Sequence, residues 1–98
     1  MTNYIARVEL HRATEEDYER LHDAMERLGF VRWIIGDDGV AYRLPTAQYH
    51  MANTSLGTRD AWERANIAAN SVKPRPTPWV IVTQAAGTLW SGLEAWLD

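Results

Sequence analysis

Arg7, Glu9 and His11 place a guanidinium, a carboxylate and an imidazole at every second position of residues 4–11. The intervening Tyr4, Ala6, Val8 and Leu10 are apolar or small. A β-strand sends alternate side chains to opposite faces, so this segment predicts a strand with one face on a core and the other carrying all three ionisable groups. A carboxylate beside an imidazole is a workable general acid/base pair, and a neighbouring Arg stabilises charge that develops on a reacting phosphate. Glu9 and His11 are therefore the candidate catalytic residues, with Arg7, Arg32 and Arg43 as candidate phosphate-binding groups. The same residues also suit an ordinary cross-strand ion-pair face, with Arg32 and Arg43 on the adjoining strands as partners for Glu9.

The remaining chemistry is sparse. The cations are nine Arg against one Lys, Lys73, which favours planar, bidentate recognition of phosphate or carboxylate. Trp33, Tyr42 and Tyr49, interleaved with Arg, are candidates for stacking single-stranded bases; aromatic residues in such positions also build cores and dimer interfaces. A net charge of −3 argues against a protein that coats nucleic acid indiscriminately. With no Cys there is no disulfide framework, thiolate site or Cys nucleophile. His11, His22 and His50 lack metal-ligand spacing. Asp37-Asp38-Gly39 reads as a turn rather than a cation site. No P-loop, dinucleotide fingerprint, nucleophile elbow or paired-His helix is present, so no cofactor and no metal are expected.

These residues must be positioned by a small single domain, residues 1–98, large enough for one two-layer core. Residues 13–28 predict a helix: Tyr18, Leu21, Met25 and Leu28 recur at three- and four-residue steps, Thr14 caps the start ahead of Glu15, Glu16 and Asp17, and Gly29 supplies a left-handed stop. Residues 30–35 predict a strand, turning at Asp37-Asp38-Gly39 into a returning strand over 40–44. Pro45 marks a bend or edge in that strand, which resumes over 47–53. Thr58 caps a second helix to about Val72, whose stripe of Ala61, Ala65, Ala68, Ala69 and Val72 suits close approach to a sheet, with Trp62 filling a larger gap. Residues 73–78 predict a polyproline-like connection, followed by a strand over 79–83.

The order β-α-β-β-α-β predicts an α+β, ferredoxin-like sandwich: one four-stranded antiparallel sheet with two helices on one face. Residues 85–98 fall outside that minimum. Their Trp90, Leu93, Trp96 and Leu97 must be covered, either by the chain itself or by a second subunit.

Residues 4–56 resemble the GhoS-type antitoxin endoribonucleases of bacterial type V toxin–antitoxin systems, small ferredoxin-like proteins akin to the CRISPR-adaptation nucleases. The resemblance lies in the ungapped spacing from Tyr4 to Phe30 and in Leu21 and Met25 on the helix. It extends through the acidic turn Asp37-Asp38-Gly39, Leu44 followed by Tyr49, and Thr54-Ser55-Leu56. Glu9 stands where the family carries Asp, one methylene shorter. The resemblance implies a protein that cleaves or binds a toxin transcript.

The expectation is thus a cytoplasmic, homodimeric protein acting on single-stranded RNA, since the chain has neither a membrane-spanning apolar run nor a signal peptide's regions. The alternative is a non-enzymatic dimeric regulator that holds a protein partner through the sheet face or the Trp-rich tail. A third reading is a dimer whose sheet faces enclose a small ligand.

Overall fold

The computed structural model describes residues 1–96. The chain runs β1 (Thr2–Glu9), α1 (Glu15–Arg27), β2 (Trp33–Ile35), β3 (Ala41–Arg43), β4 (Gln48–Thr54), α2 (Thr58–Val72) and β5 (Trp79–Gln84). β1 lies in the middle of a three-stranded antiparallel sheet, order β4-β1-β5, and β2 pairs with β3 in a separate hairpin. The protein is therefore an α+β fold with two helices and antiparallel sheets.

The alternation of β1 does what its sequence demands. Tyr4, Ala6, Val8 and Leu10 are all buried and form one apolar cluster with Leu21 and Met25 of α1, Ala61, Ala65, Ala68 and Ala69 of α2, and Phe30, Tyr49 and Met51. Burying a side chain such as Leu21, Met25 or Phe30 contributes about 1.5–3 kcal/mol before entropy is counted. The small residues of α2 let the helix sit close to the sheet. Trp62 does not fill a gap there: it is turned to the flank and is 37% exposed, because the four alanines define the inward face one step around the helix.

Thr14 caps α1 as its sequence predicts. Its hydroxyl accepts the Asp17 N–H while the Asp17 carboxylate accepts the Thr14 N–H, a reciprocal capping box. Gly29 takes φ +99°, and a Cβ there would stand 3.2 Å from Met51 Cε, so both the turn and the packing want glycine. α2 begins differently from its expectation: Gly57 is the N-cap, with no side-chain capping bond, and Thr58 is already helical.

The single four-stranded sheet is not formed. The strand expected to run from residue 40 through 53 breaks between Leu44 and Gln48. Pro45 offers no N–H to a ladder, Ala47 adopts φ +74°, and the Gln48 N–H bonds back to the Pro45 carbonyl. This tight turn sends β2 and β3 off as their own hairpin. Of the residues expected to continue the sheet beside β4, Val31 alone does so, in a bridge to His50.

Residues 85–96 leave β5 and reach the hairpin. The Ala85 N–H bonds to the Asn3 carbonyl, the Arg43 N–H to the Glu94 carbonyl and the Trp96 N–H to the Ala41 carbonyl. Because β5 and the hairpin flank opposite sides of β1, residues 85–96 form a strap across one end of the helix-free face.

Candidate functional site

The helix-free face of the sheet is built on Ile5, Arg7 and Glu9 of β1. By register, Ile5 lies between His50 and Thr83, Arg7 between Gln48 and Ile81, and Glu9 beside Trp79. Arg7 is exposed and Glu9 half-buried. Among the described residues the side-chain ion pairs are Asp17–Arg20 and Arg59–Glu63; neither involves the β1 face. Arg7 and Glu9 thus stand about 7 Å apart along one face, with no ion pair to either among the described residues. Beside them Trp79 and Ile81 are 65% and 63% exposed, an unusual outlay of apolar surface on a sheet.

His11 lies beyond the strand, in a turn completed by Arg12 at φ +53°. Its ring meets Trp79 edge-to-face, with centroids 4.6 Å apart and planes at 77°, and its Nε2 is buried without a hydrogen-bond partner. Both candidate catalytic residues therefore border Trp79, Glu9 by strand register and His11 by ring contact. His50 aligns with Ile5, about 13 Å along the strand from Glu9, so Glu9, His11 and His50 do not converge on a common metal.

Arg32 and Arg43 are not on the strands that adjoin β1. Those strands are β4 and β5, and the two Arg belong to the hairpin region, where both guanidinium groups lie over Trp96, at 5.4 and 4.7 Å from its ring centroid. Trp33 packs on the same indole at 5.1 Å. Trp90 packs on Tyr42 at 5.7 Å, whose hydroxyl donates to Asp38 at 2.6 Å. Gly36 makes this possible: a Cβ on it would meet Tyr42 at 3.1 Å and Trp90 at 3.3 Å. Leu93 is half-buried in the same strap, and Leu97 lies outside the described residues.

The three aromatics chosen as stacking candidates are all engaged. Trp33 and Tyr42 hold the strap, and Tyr49 points to the helix side, fully buried. The Tyr49 hydroxyl and His22 Nδ1 share a 2.7 Å hydrogen bond. Burial, reinforced by the Arg32 charge, pulls His22 down to about 4, and burial pushes the Tyr49 phenol up. The exposed aromatic on the open face is instead Trp79. Its signal was present in the sequence, since it shares a parity with Ile81 opposite to that of Val80 and Val82.

Beneath the strap is an open cleft of about 360 Å³. Its sheet-side wall includes Asn3 and His50, the hairpin adds Ile34, Ile35 and Asp37, and residues 85–90 close it. His50 is only 9% exposed although it belongs to the helix-free face, and burial lowers the pKa of its imidazole. The strap covers it. Among the described residues no group of three or more His, Asp or Glu side chains is placed to hold a metal ion, and no helix is long and apolar enough to cross a membrane.

No protein-family model matches this chain, and neither a curated protein nor a solved structure matches it.

Proposed function

We propose that this protein is a ferredoxin-like, antitoxin-type domain that binds single-stranded RNA, and cleaves it, on the helix-free face of β1 and β5. The observation that carries the reading is the alignment of Arg7 and Glu9 with exposed Ile81 and Trp79 on the neighbouring strand. An exposed indole on a sheet stacks a base of any identity, and an adjacent guanidinium takes the phosphate. The strand order β5-β1-β4, with Val31 bridged outside β4, supports a ferredoxin-like winding whose outer strand has shrunk to one bridge.

In this reading Glu9 accepts the proton of a ribose 2′-hydroxyl. The 2′-oxygen then attacks phosphorus, the bond to the 5′-oxygen breaks, and water supplies the proton that the departing oxygen takes up. Arg7 holds the phosphate charge as it grows. His11 acts on the Trp79 ring that it abuts, as a positioning residue. Arg32 and Arg43 take no part at the reacting phosphate, because Trp96 holds them on the hairpin.

Purified protein incubated with a single-stranded RNA tests the reading. Cleavage that disappears in Glu9→Ala and falls in Arg7→Ala, with binding retained by Glu9→Ala, supports it. Equal cleavage by wild type and Glu9→Ala removes Glu9 from the reaction, and absence of RNA binding by the wild type overturns the RNA reading altogether.

One observation favours a second reading, a dimeric protein-binding module. Among the described residues β5 pairs with β1 alone, and its sequence WVIVTQ lacks the charges that usually blunt an edge strand. Two copies joined β5 to β5 in antiparallel fashion would satisfy both edges and set the Trp79 and Ile81 rows of the two copies side by side on one continuous face.

A further inference from the structure

We propose that the cleft beneath the strap is a nucleobase-recognition pocket, selective for bases that carry an exocyclic amine. The proposal rests on the RNA reading for the polymer to which the base belongs, and on the cleft alone for the base itself.

Three properties of the cleft point to this ligand class. First, its lining combines apolar and polar side chains. Ile34 and Ile35 come from the hairpin and Leu89 and Trp90 from the strap, whereas Asn3 and His50 lie on the sheet. A planar heteroaromatic ring has the same division, with apolar faces and a hydrogen-bonding edge. Leu89 and Ile35 are 99% and 57% exposed, so an inserted ring covers apolar surface that now faces water. The volume lies at the lower end of that of small-molecule sites.

Second, the His50 imidazole is more than nine-tenths buried and makes no side-chain hydrogen bond among the described residues. Its ring nitrogens are not sealed from solvent, since His11 Nε2 alone is a buried side-chain polar atom without a partner among the described residues, so a ligand edge entering the cleft can reach them. Its ring offers one donor and one acceptor when neutral. Asn3 spends its side-chain carbonyl on the Asn53 N–H and keeps its amide N–H groups for a ligand.

Third, the lining contains a carboxylate, Asp37, and no Arg or Lys. A phosphate or carboxylate ligand has no cation to meet there, which separates this site from the Arg7 face. Asp37 contributes acceptors only; an exocyclic amine (adenine, cytosine or guanine) offers it two N–H donors, whereas the one N3–H of uracil is flanked by two carbonyl oxygens that a carboxylate repels. The cleft and the Arg7–Trp79 platform occupy opposite ends of the same sheet face, so a strand whose backbone crosses Arg7 can deliver a base beneath the strap.

The test is a nuclear magnetic resonance titration of the full chain with adenosine, guanosine, cytidine and uridine, reading the His50 ring signals, alongside binding of a short single-stranded RNA. The expected result is a saturable shift of the His50 signals with the amine-bearing nucleosides and little with uridine. His50→Leu weakens binding by about tenfold, the loss of one buried hydrogen bond. Leu89→Ser, at a position too exposed to disturb folding, weakens it severalfold. Absence of a saturable His50 shift with every nucleoside overturns the pocket, and RNA binding unaffected by both variants would then leave the RNA reading standing. Nucleoside binding without RNA binding has the opposite meaning: the pocket stands and the RNA reading falls.

Discussion

The Arg43 guanidinium lies 4.7 Å from the centre of the Trp96 indole, a ring it shares with Arg32. Two cations whose type suggests phosphate recognition instead fasten Trp96 of the strap to the hairpin. Their attraction to the indole is worth about 0.5–1 kcal/mol each at exposed sites. The strap, and therefore the cover over His50, depends on this cluster together with its three backbone hydrogen bonds.

Trp96→Ala is expected to release the strap while leaving the main core intact. The loss of the stacked aromatic and cation contacts costs about 1–2 kcal/mol. Limited proteolysis should then cut within residues 85–96, with amide exchange of β1 unchanged. Loss of protection throughout β1 would show that the strap is integral to the core.

Gly36→Ala tests the close packing at the turn of the hairpin. Its Cβ would fall 2.8 Å from the Asp38 carboxylate and 3.1 Å from the Tyr42 ring, and such overpacking costs about 1–3 kcal/mol. Urea denaturation should show this loss. Gly87→Ala, where nothing lies within 4 Å, should show none from steric contact and serves as the control.

Trp79→Ala should weaken single-stranded RNA binding about tenfold, within the 1–3 kcal/mol usual for one stacked base. Trp62→Ala, on the flank of α2, should leave it unchanged. Fluorescence anisotropy at two salt concentrations separates this stacking loss from the loss of a phosphate contact in Arg7→Ala, which should also reduce the salt dependence.

Stability should fall as the solution is acidified through the His22 window. His22 is lowered from its ordinary 6.5 to about 4 in the folded protein, so between those values the unfolded chain binds more protons. Stability from this group is complete above pH 6.5 and is lost progressively toward pH 4. His50, lowered by burial, has the same sign. The urea midpoint measured from pH 7 to 4 should decline less steeply in His22→Gln than in wild type; parallel curves would remove His22 as the cause.

Periodicity and the Thr14 cap of α1 were legible in the chain because they are local, whereas the cap of α2 fell on Gly57 rather than Thr58. The parity of residues 4–11 separated core from open face, Thr14 and Asp17 announced the start of α1, and the alanines of α2 marked its inward side. These depend on side-chain spacing over a few residues, which backbone geometry converts directly into direction. The break at Pro45 was visible as a proline, but its consequence was not. Whether a strand bends or ends there depends on Ala47 taking a left-handed conformation, which the residue type does not announce.

By itself, then, the sequence determined two helices, a central strand with one ionisable face, and the acidic turn after β2. Only the tertiary structure decided which charges share a surface. It kept Arg7 and Glu9 together, carried Arg32 and Arg43 off to Trp96, set His11 against Trp79, and drew residues 85–96 over His50. The reason is physical. Strand pairing and strap docking join residues far apart in the chain, and their partners are selected by contact energies that no local pattern contains.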